Sequence, residues 1–268
     1  MALVPFPGAS PSEPDDDRDE FDDSGAKMSF LEHLDELRKR LIHSVVAILV
    51  GVGATFYFHQ QVYDFIFAPT RKILPPGSKL IFTEPGEAFS LHMQIALISG
   101  CLAAAPYILY QVWLFIAPGL YSHEKKLAIP FVVLATIGCF AGAAFNHYVV
   151  FPFMMTFFGS FAGDDLLFLP KLDPVFSLYT RFLLAMCIVF QMPTLVYFLA
   201  RMRMVTAGFL ARHFKYAILI TFVVSAVITP TGDPWTQTVF AVPMIALYVI
   251  SIGIAWMVAP RRSVKSDA

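Results

Sequence analysis

From Leu41 onward the chain alternates long uncharged apolar runs with short polar stretches, and this alternation constrains the fold more than any single motif. A helix needs about 20 apolar residues to cross the hydrocarbon core of a bilayer. With 57% hydrophobic residues, 15% charged residues and 27 phenylalanines in 268 positions, the chain is too apolar for a soluble domain. It reads as an all-α polytopic membrane protein.

Six spans fit the runs: about Leu41 to Phe58, Ala88 to Trp113, Leu127 to Val149, Val175 to Ala200, a short fifth after Lys215, and Trp235 to Val258. Pro106 falls inside the second, where neighbouring helices can satisfy the freed carbonyl. Only seventeen uncharged residues separate Lys215 from Asp233, and Thr229 to Gly232 read as a turn, so the fifth span is short for a full bilayer. Phe151 to Phe161 is apolar but carries Pro152 and Gly159, and is expected to be interfacial or packed on the outer surface. Asp173-Pro174 and Asp233-Pro234 have the form of a helix cap followed by proline in the first turn, opening the fourth and sixth spans.

Basic residues set the orientation. Arg38, Lys39, Arg40, Lys125, Lys126, Arg201, Arg203, Arg212, Lys215, Arg261, Arg262 and Lys265 flank one side, against Arg71, Lys72, Lys79, Lys171 and Arg181 on the other. Positive charge accumulates on the cytoplasmic side, so both termini are expected there. Eight of the twenty acidic residues precede Met28, and residues 1–27 also carry four prolines and no apolar run long enough for a signal-peptide core. The expected organisation is a disordered acidic cytoplasmic tail (1–27), a six-helix domain (28–260) and a basic cytoplasmic tail (261–268). No nucleic-acid partner is implied. Cys101, Cys139 and Cys187 lie inside apolar runs and suggest neither disulfides nor a metal cluster.

Dense charge meets membrane at FLEHLDELRKRL, Phe30 to Leu41. Ser29 with Glu32 has the form of a capping box, so a helix is expected to start there. Phe30, Leu34, Leu37 and Leu41 then share one stripe, and His33, Glu36 and Arg40 share another. The charged stripe is the candidate working surface. A plainer reading stands beside it: Glu36 with Arg40 and Asp35 with Lys39 are favourable four-residue pairs, and Arg38 to Arg40 form a cytoplasmic anchor.

HLDELRKRL near the N-terminus, YQVWLFIAPGLYSHEKK at Tyr110 to Lys126, VVFPF at Val149 to Phe153 and TPTGDPWTQTVFAVP at Thr229 to Pro243 occur in the order seen in the TatC family. The chain resembles that family, the multispanning receptor subunit of the twin-arginine protein translocase, over Met28 to Pro260. The resemblance implies a cupped bundle of six helices, with both termini inside, in a prokaryotic inner membrane. It further implies binding of twin-arginine signal peptides of folded cargo, single-span TatA- and TatB-like partners, self-association in a multi-copy complex, and export driven by the proton-motive force. Matched motif to motif, Glu36 and Glu124 hold the paired arginines, while Arg38, Phe115, Tyr121 and Pro69 fall at positions important to the receptor.

The chemistry is coherent. An arginine presents a planar fork that a carboxylate accepts bidentately, whereas lysine keeps the charge and loses the fork. Glu124 also has a simpler role available, since an acidic residue in the first turn of span three complements the helix dipole. His33 and His123 lack a third ligand at metal-site spacing.

Polar residues within spans are costly and therefore candidates for function. Gln191, beside Pro193, stands where many family members carry glutamate; its neutral amide cannot titrate, but it can bond a partner helix or carbonyls freed by Pro193. The resemblance suggests that Gln237 and Thr229 offer a polar patch to partner subunits. Asp233 reads as a helix cap, and Glu84 and Glu87 as residues that open a helix on the outer side. A small-solute permease is the alternative class, yet no internal repeat or midplane carboxylate supports it. An intramembrane enzyme would need a nucleophile with its base, a metal motif or a P-loop, and none is present; no cofactor is implied.

Overall fold

The structure, a computed structural model, describes residues 30–74, 80–116, 128–163, 167–229 and 233–258. The acidic stretch 1–27, Ser29, Pro75-Pro76-Gly77, the loop residues Tyr121, His123 and Glu124, most of the Thr229–Gly232 turn and the basic residues 261–268 lie outside the described residues. Among those described, every element is helical apart from isolated bridges, one of which joins Ile81 to Lys171.

Helix α1 (Phe30–Tyr57) runs unbroken from the charged segment through the first apolar run. It gives way at Phe58 to α2 (His59–Ile73), which buries Ile66, Phe67 and Thr70. On the exposed face of α2, Arg71 donates to Asp64 at 2.8 Å, and this bond holds the guanidinium above its ordinary pKa. Helix α3 (Glu87–Ile116) returns antiparallel beside α1 and continues through Pro106. Helix α4 (Ala128–Phe145) passes through a π turn (Asn146–Val150) into α5 (Phe151–Gly159).

The fourth run forms α6 (Leu172–Val189) and α7 (Met192–Arg201), broken at Phe190–Gln191 ahead of Pro193. After α8 (Ala207–Arg212) come α9 (Phe214–Ile228) and α10 (Pro234–Val258).

Among the described residues, five segments are long and apolar enough to cross a membrane: Leu31–Tyr57, Glu87–Ile116, Ile129–Gly159, Leu172–Arg201 and Pro234–Val258. Helix α9 has 15 residues. That gives it about 22 Å, short of the roughly 30 Å hydrocarbon core, as the spacing of Lys215 and Asp233 anticipates.

Two expectations need correction. Phe151–Phe161 is not a separate interfacial element, because the π turn carries α4 directly into α5 and buries Phe151, Met154 and Met155. Pro152 sits at the start of α5, where the Phe151 N–H bonds back to Asn146 O, so the proline shifts the helix register without ending it. Nor does Asp173 cap α6. The helix starts at Leu172, and its exposed amide at Asp173 is met by Glu87 Oε1 at 3.1 Å from across the fold. The other oxygen of Glu87 accepts from Thr83 N at 2.8 Å, so one carboxylate ties the starts of α3 and α6. The Asp233 cap is present: its Oδ2 accepts from Thr236 N at 2.8 Å.

Small residues set the closest helix approaches, because apolar burial gives little drive inside lipid and backbone contact must supply packing energy. A Cβ on Gly51 would lie 2.5 Å from Gly100 O, and one on Gly100 would lie 2.5 Å from Val52 N. Beside this crossing, Thr55 Oγ1 donates to Ala96 O at 3.0 Å. Between α4 and α6, a Cβ on Gly142 would lie 2.6 Å from Met186 O. Helix α6 is central, burying Phe176, Tyr179, Phe182 and Met186 between the other helices.

Candidate functional site

The charged segment forms the first three turns of α1, and its two stripes divide in the sense opposite to a soluble helix. Leu31, Leu34, Leu37 and Leu41 are exposed, whereas His33, Glu36 and Arg40 are half-buried on the side facing α3. Glu32, Asp35, Arg38 and Lys39 are exposed alongside the leucines, so only His33, Glu36 and Arg40 turn inward. The stripe singled out by its charge is thus the stripe that packs.

Within it, the Arg40 guanidinium donates to Glu36 Oε1 at 3.1 Å, with the two side chains 29% and 15% exposed. Glu36 Oε2 and Arg40 Nε are buried with no hydrogen-bond partner among the described residues. The carboxylate therefore keeps one accepting edge open. One turn closer to the helix start, the His33 ring stacks on Phe115 with centroids 4.4 Å apart. Phe115 thereby brings α3 against α1 one turn from Glu36. Beneath it, Trp113 is buried against Phe131 at 4.9 Å and Phe198 at 5.1 Å, joining α3, α4 and α7. Lys39 pairs with Asp35 at 2.9 Å, and Arg38 is exposed, off the inward stripe.

The expected site residues are therefore only partly gathered. Phe115 stacks on His33, one turn from Glu36 on the inward stripe of α1, Arg38 is exposed off that stripe, and Tyr121 and Glu124 lie outside the described residues. Pro69 sits within α2, beyond the far end of α1. Gln191 Nε2 donates to Ala135 O on α4 at 2.9 Å, so its amide bridges to a neighbouring helix and not to the carbonyls freed by Pro193. Thr229 is buried, and its hydroxyl donates to Ser225 O at 2.9 Å. Ser225 in turn donates to Gln237 O at 2.6 Å, which fastens α9 to α10.

Two features escaped the reading of the sequence. Gln111, within the YQVW motif, is 4% exposed, and its Oε1 has no partner among the described residues. In the π turn, Asn146 is fully buried with neither amide atom partnered among the described residues, and His147 stacks on Phe65 at 3.9 Å while its Nδ1 lies 3.4 Å from Tyr179 Oη. His147 and Tyr179 border a cavity of about 320 Å³. A polar residue inside an apolar run is the available signal in both cases. No group of three His, Cys, Asp or Glu residues suited to a metal occurs among the described residues.

The model of the family described as "Sec-independent protein translocase protein (TatC)" matches residues 32–243. A TatC protein of Koribacter versatilis (strain Ellin345) is 42% identical over 243 residues, which cover 89% of each chain. One from Helicobacter pylori (strain J99) is 39% identical, over 85% of this chain and 89% of its own. A crystal structure of the twin-arginine translocase receptor TatC superposes with a TM-score of 0.71 at 39% identity, covering 84% of this chain and 98% of that one. A second, in DDM, gives 0.73 at 38% identity over 84% and 99%. Sequence, fold and the motifs along α1 and α3 agree, and this chain belongs to the TatC family of Sec-independent protein translocase proteins.

Proposed function

We propose that this chain is the receptor of a twin-arginine translocase in a prokaryotic inner membrane, and that it binds twin-arginine signal peptides through Glu36 and Glu124 on its cytoplasmic face. The carrying observation is the Glu36 carboxylate, sheltered between α1 and α3 with one oxygen on Arg40 and the other open. An incoming guanidinium supplies the missing donors. Replacing the Arg40 contact, it gives Glu36 a bidentate partner, and charge-assisted forks of this kind are the strong ones.

In this reading α9 completes a set of six spans with both termini cytoplasmic, in keeping with the excess of basic residues on that side. Gln191, Gln237 and Thr229 are the polar residues of the faces toward single-span partner subunits. The chain carries no nucleotide-binding loop, and the proton-motive force is the energy source; the membrane potential is worth about 2.3 kcal/mol per charge per 100 mV. Several copies assemble as one receptor complex.

Peptide binding tests the proposal. The purified full chain is expected to bind a twin-arginine signal peptide and to lose that binding on Glu36→Ala or Glu124→Ala; unchanged affinity in both variants would refute the assignment.

A further inference from the structure

We infer that Gln111 is a specificity-determining residue of the receptor site, its side-chain carbonyl serving as a further acceptor for the paired guanidinium groups beside Glu36. The inference rests on the receptor reading above and adds to it a residue on α3.

Register places the two side by side. Gly51 meets Gly100, Thr55 Oγ1 donates to Ala96 O at 3.0 Å, and His33 stacks on Phe115, so α1 and α3 run antiparallel with a continuous seam. Arg40 lies eleven residues before Gly51, and Gln111 lies eleven residues after Gly100. Eleven residues are about three helical turns, which returns each side chain to the face that carries its glycine. Arg40 and Gln111 therefore face one another at one level of the seam. Glu36 and Phe115 follow at the next turn.

Three buried polar atoms cluster at these two levels without partners among the described residues: Glu36 Oε2, Arg40 Nε and Gln111 Oε1. Two are acceptors and one is a donor. If Arg40 Nε turned to either acceptor, the other would stay open. Buried polar groups are nearly always satisfied in native proteins, so this excess of acceptors among the described residues offers a place for a further donor, which the peptide can supply. A guanidinium carries five N–H groups in one plane and can reach a carboxylate and an amide carbonyl together, whereas an ammonium concentrates its donors on one atom. Gln111 thus adds discrimination as well as affinity.

The full chain in lipid nanodiscs is titrated with twin-arginine and twin-lysine versions of one signal peptide. Gln111→Leu is expected to weaken the twin-arginine peptide about tenfold and leave the twin-lysine peptide unchanged, so the preference collapses. Gln111→Glu retains an acceptor and is expected to keep the preference. Gln111→Met, matched in length, is the second apolar variant, and the ratio is read on whichever of the two keeps the thermal midpoint of the parent chain. An unchanged ratio in that variant would assign Gln111 to packing alone and overturn the inference while the receptor reading stands. A parent chain with no preference for arginine would overturn the receptor reading itself, and this inference with it.

Discussion

Arg40 donates to Glu36 Oε1 across one turn of α1 at 3.1 Å, and the second carboxylate oxygen is buried without a partner among the described residues. An intrahelical arginine thus sits where, in the proposed function, an arginine of the signal peptide binds. The pair holds the carboxylate oriented before any peptide arrives. Because Arg40 reaches only one oxygen, its grip is weaker than that of a guanidinium engaging both.

Removing this internal occupant should favour the external one. Exposed to half-buried pairs of this kind are worth about 1 kcal/mol, so Arg40→Gln is expected to tighten twin-arginine peptide binding roughly fivefold. Fluorescence anisotropy of a labelled peptide checks it; weaker binding would instead make Arg40 part of the peptide's own contacts.

The α1–α3 seam depends on the missing side chain at Gly100. Gly100→Val brings a branched side chain against the backbone at Val52, which neither helix can avoid, and is expected to cost about 1 to 3 kcal/mol of stability. Thermal unfolding in detergent reads the loss, and a neutral result would mean that the helices separate more easily than their approach suggests.

Much of this architecture was legible in the sequence, because the length of an apolar run is set by the bilayer. The long runs became the five membrane-length helices, and the short gap between Lys215 and Asp233 became the 15-residue α9. The charged stripe of α1 was legible too, since helical spacing alone sorts His33, Glu36 and Arg40 from the leucines. Which way that stripe faces was not, because helical spacing gives a stripe but not its neighbour, and here the neighbour is α3, more than 70 residues further along the chain. The Glu87 link to Asp173 was hidden because its partners lie 86 residues apart and local capping rules see only the nearest residues. The π turn was hidden because Pro152 ordinarily signals a stop, and only tertiary packing lets the helix re-register past it.

Glu87 holds two helix starts with one carboxylate, so its loss should be felt at both. Glu87→Ala is expected to speed amide hydrogen exchange at Thr83 and at Asp173 together, while Asp233→Ala, which removes a local cap, affects only the start of α10. Exchange that rises at Thr83 alone would mean the link to α6 contributes nothing in solution.

Asn146 in the π turn has both amide atoms buried and unpartnered among the described residues. Replacing an unsatisfied buried amide by an apolar group of similar size relieves a desolvation penalty, so Asn146→Leu is expected to be neutral or to stabilise the chain by about 1 kcal/mol. Destabilisation beyond about 2 kcal/mol in a thermal scan would show that the amide holds a water or partner at this turn.

The central claim is that sheltered acceptors at the α1–α3 seam recognise arginine by its shape as well as its charge. The most direct measurement compares one signal peptide in twin-arginine and twin-lysine forms against the full chain and its Glu36→Gln variant in nanodiscs. The parent chain should prefer arginine by roughly 10- to 100-fold, the worth of one charge-assisted bond, and Glu36→Gln should lose most of that preference. Equal affinity for the two peptides in the parent chain would contradict it.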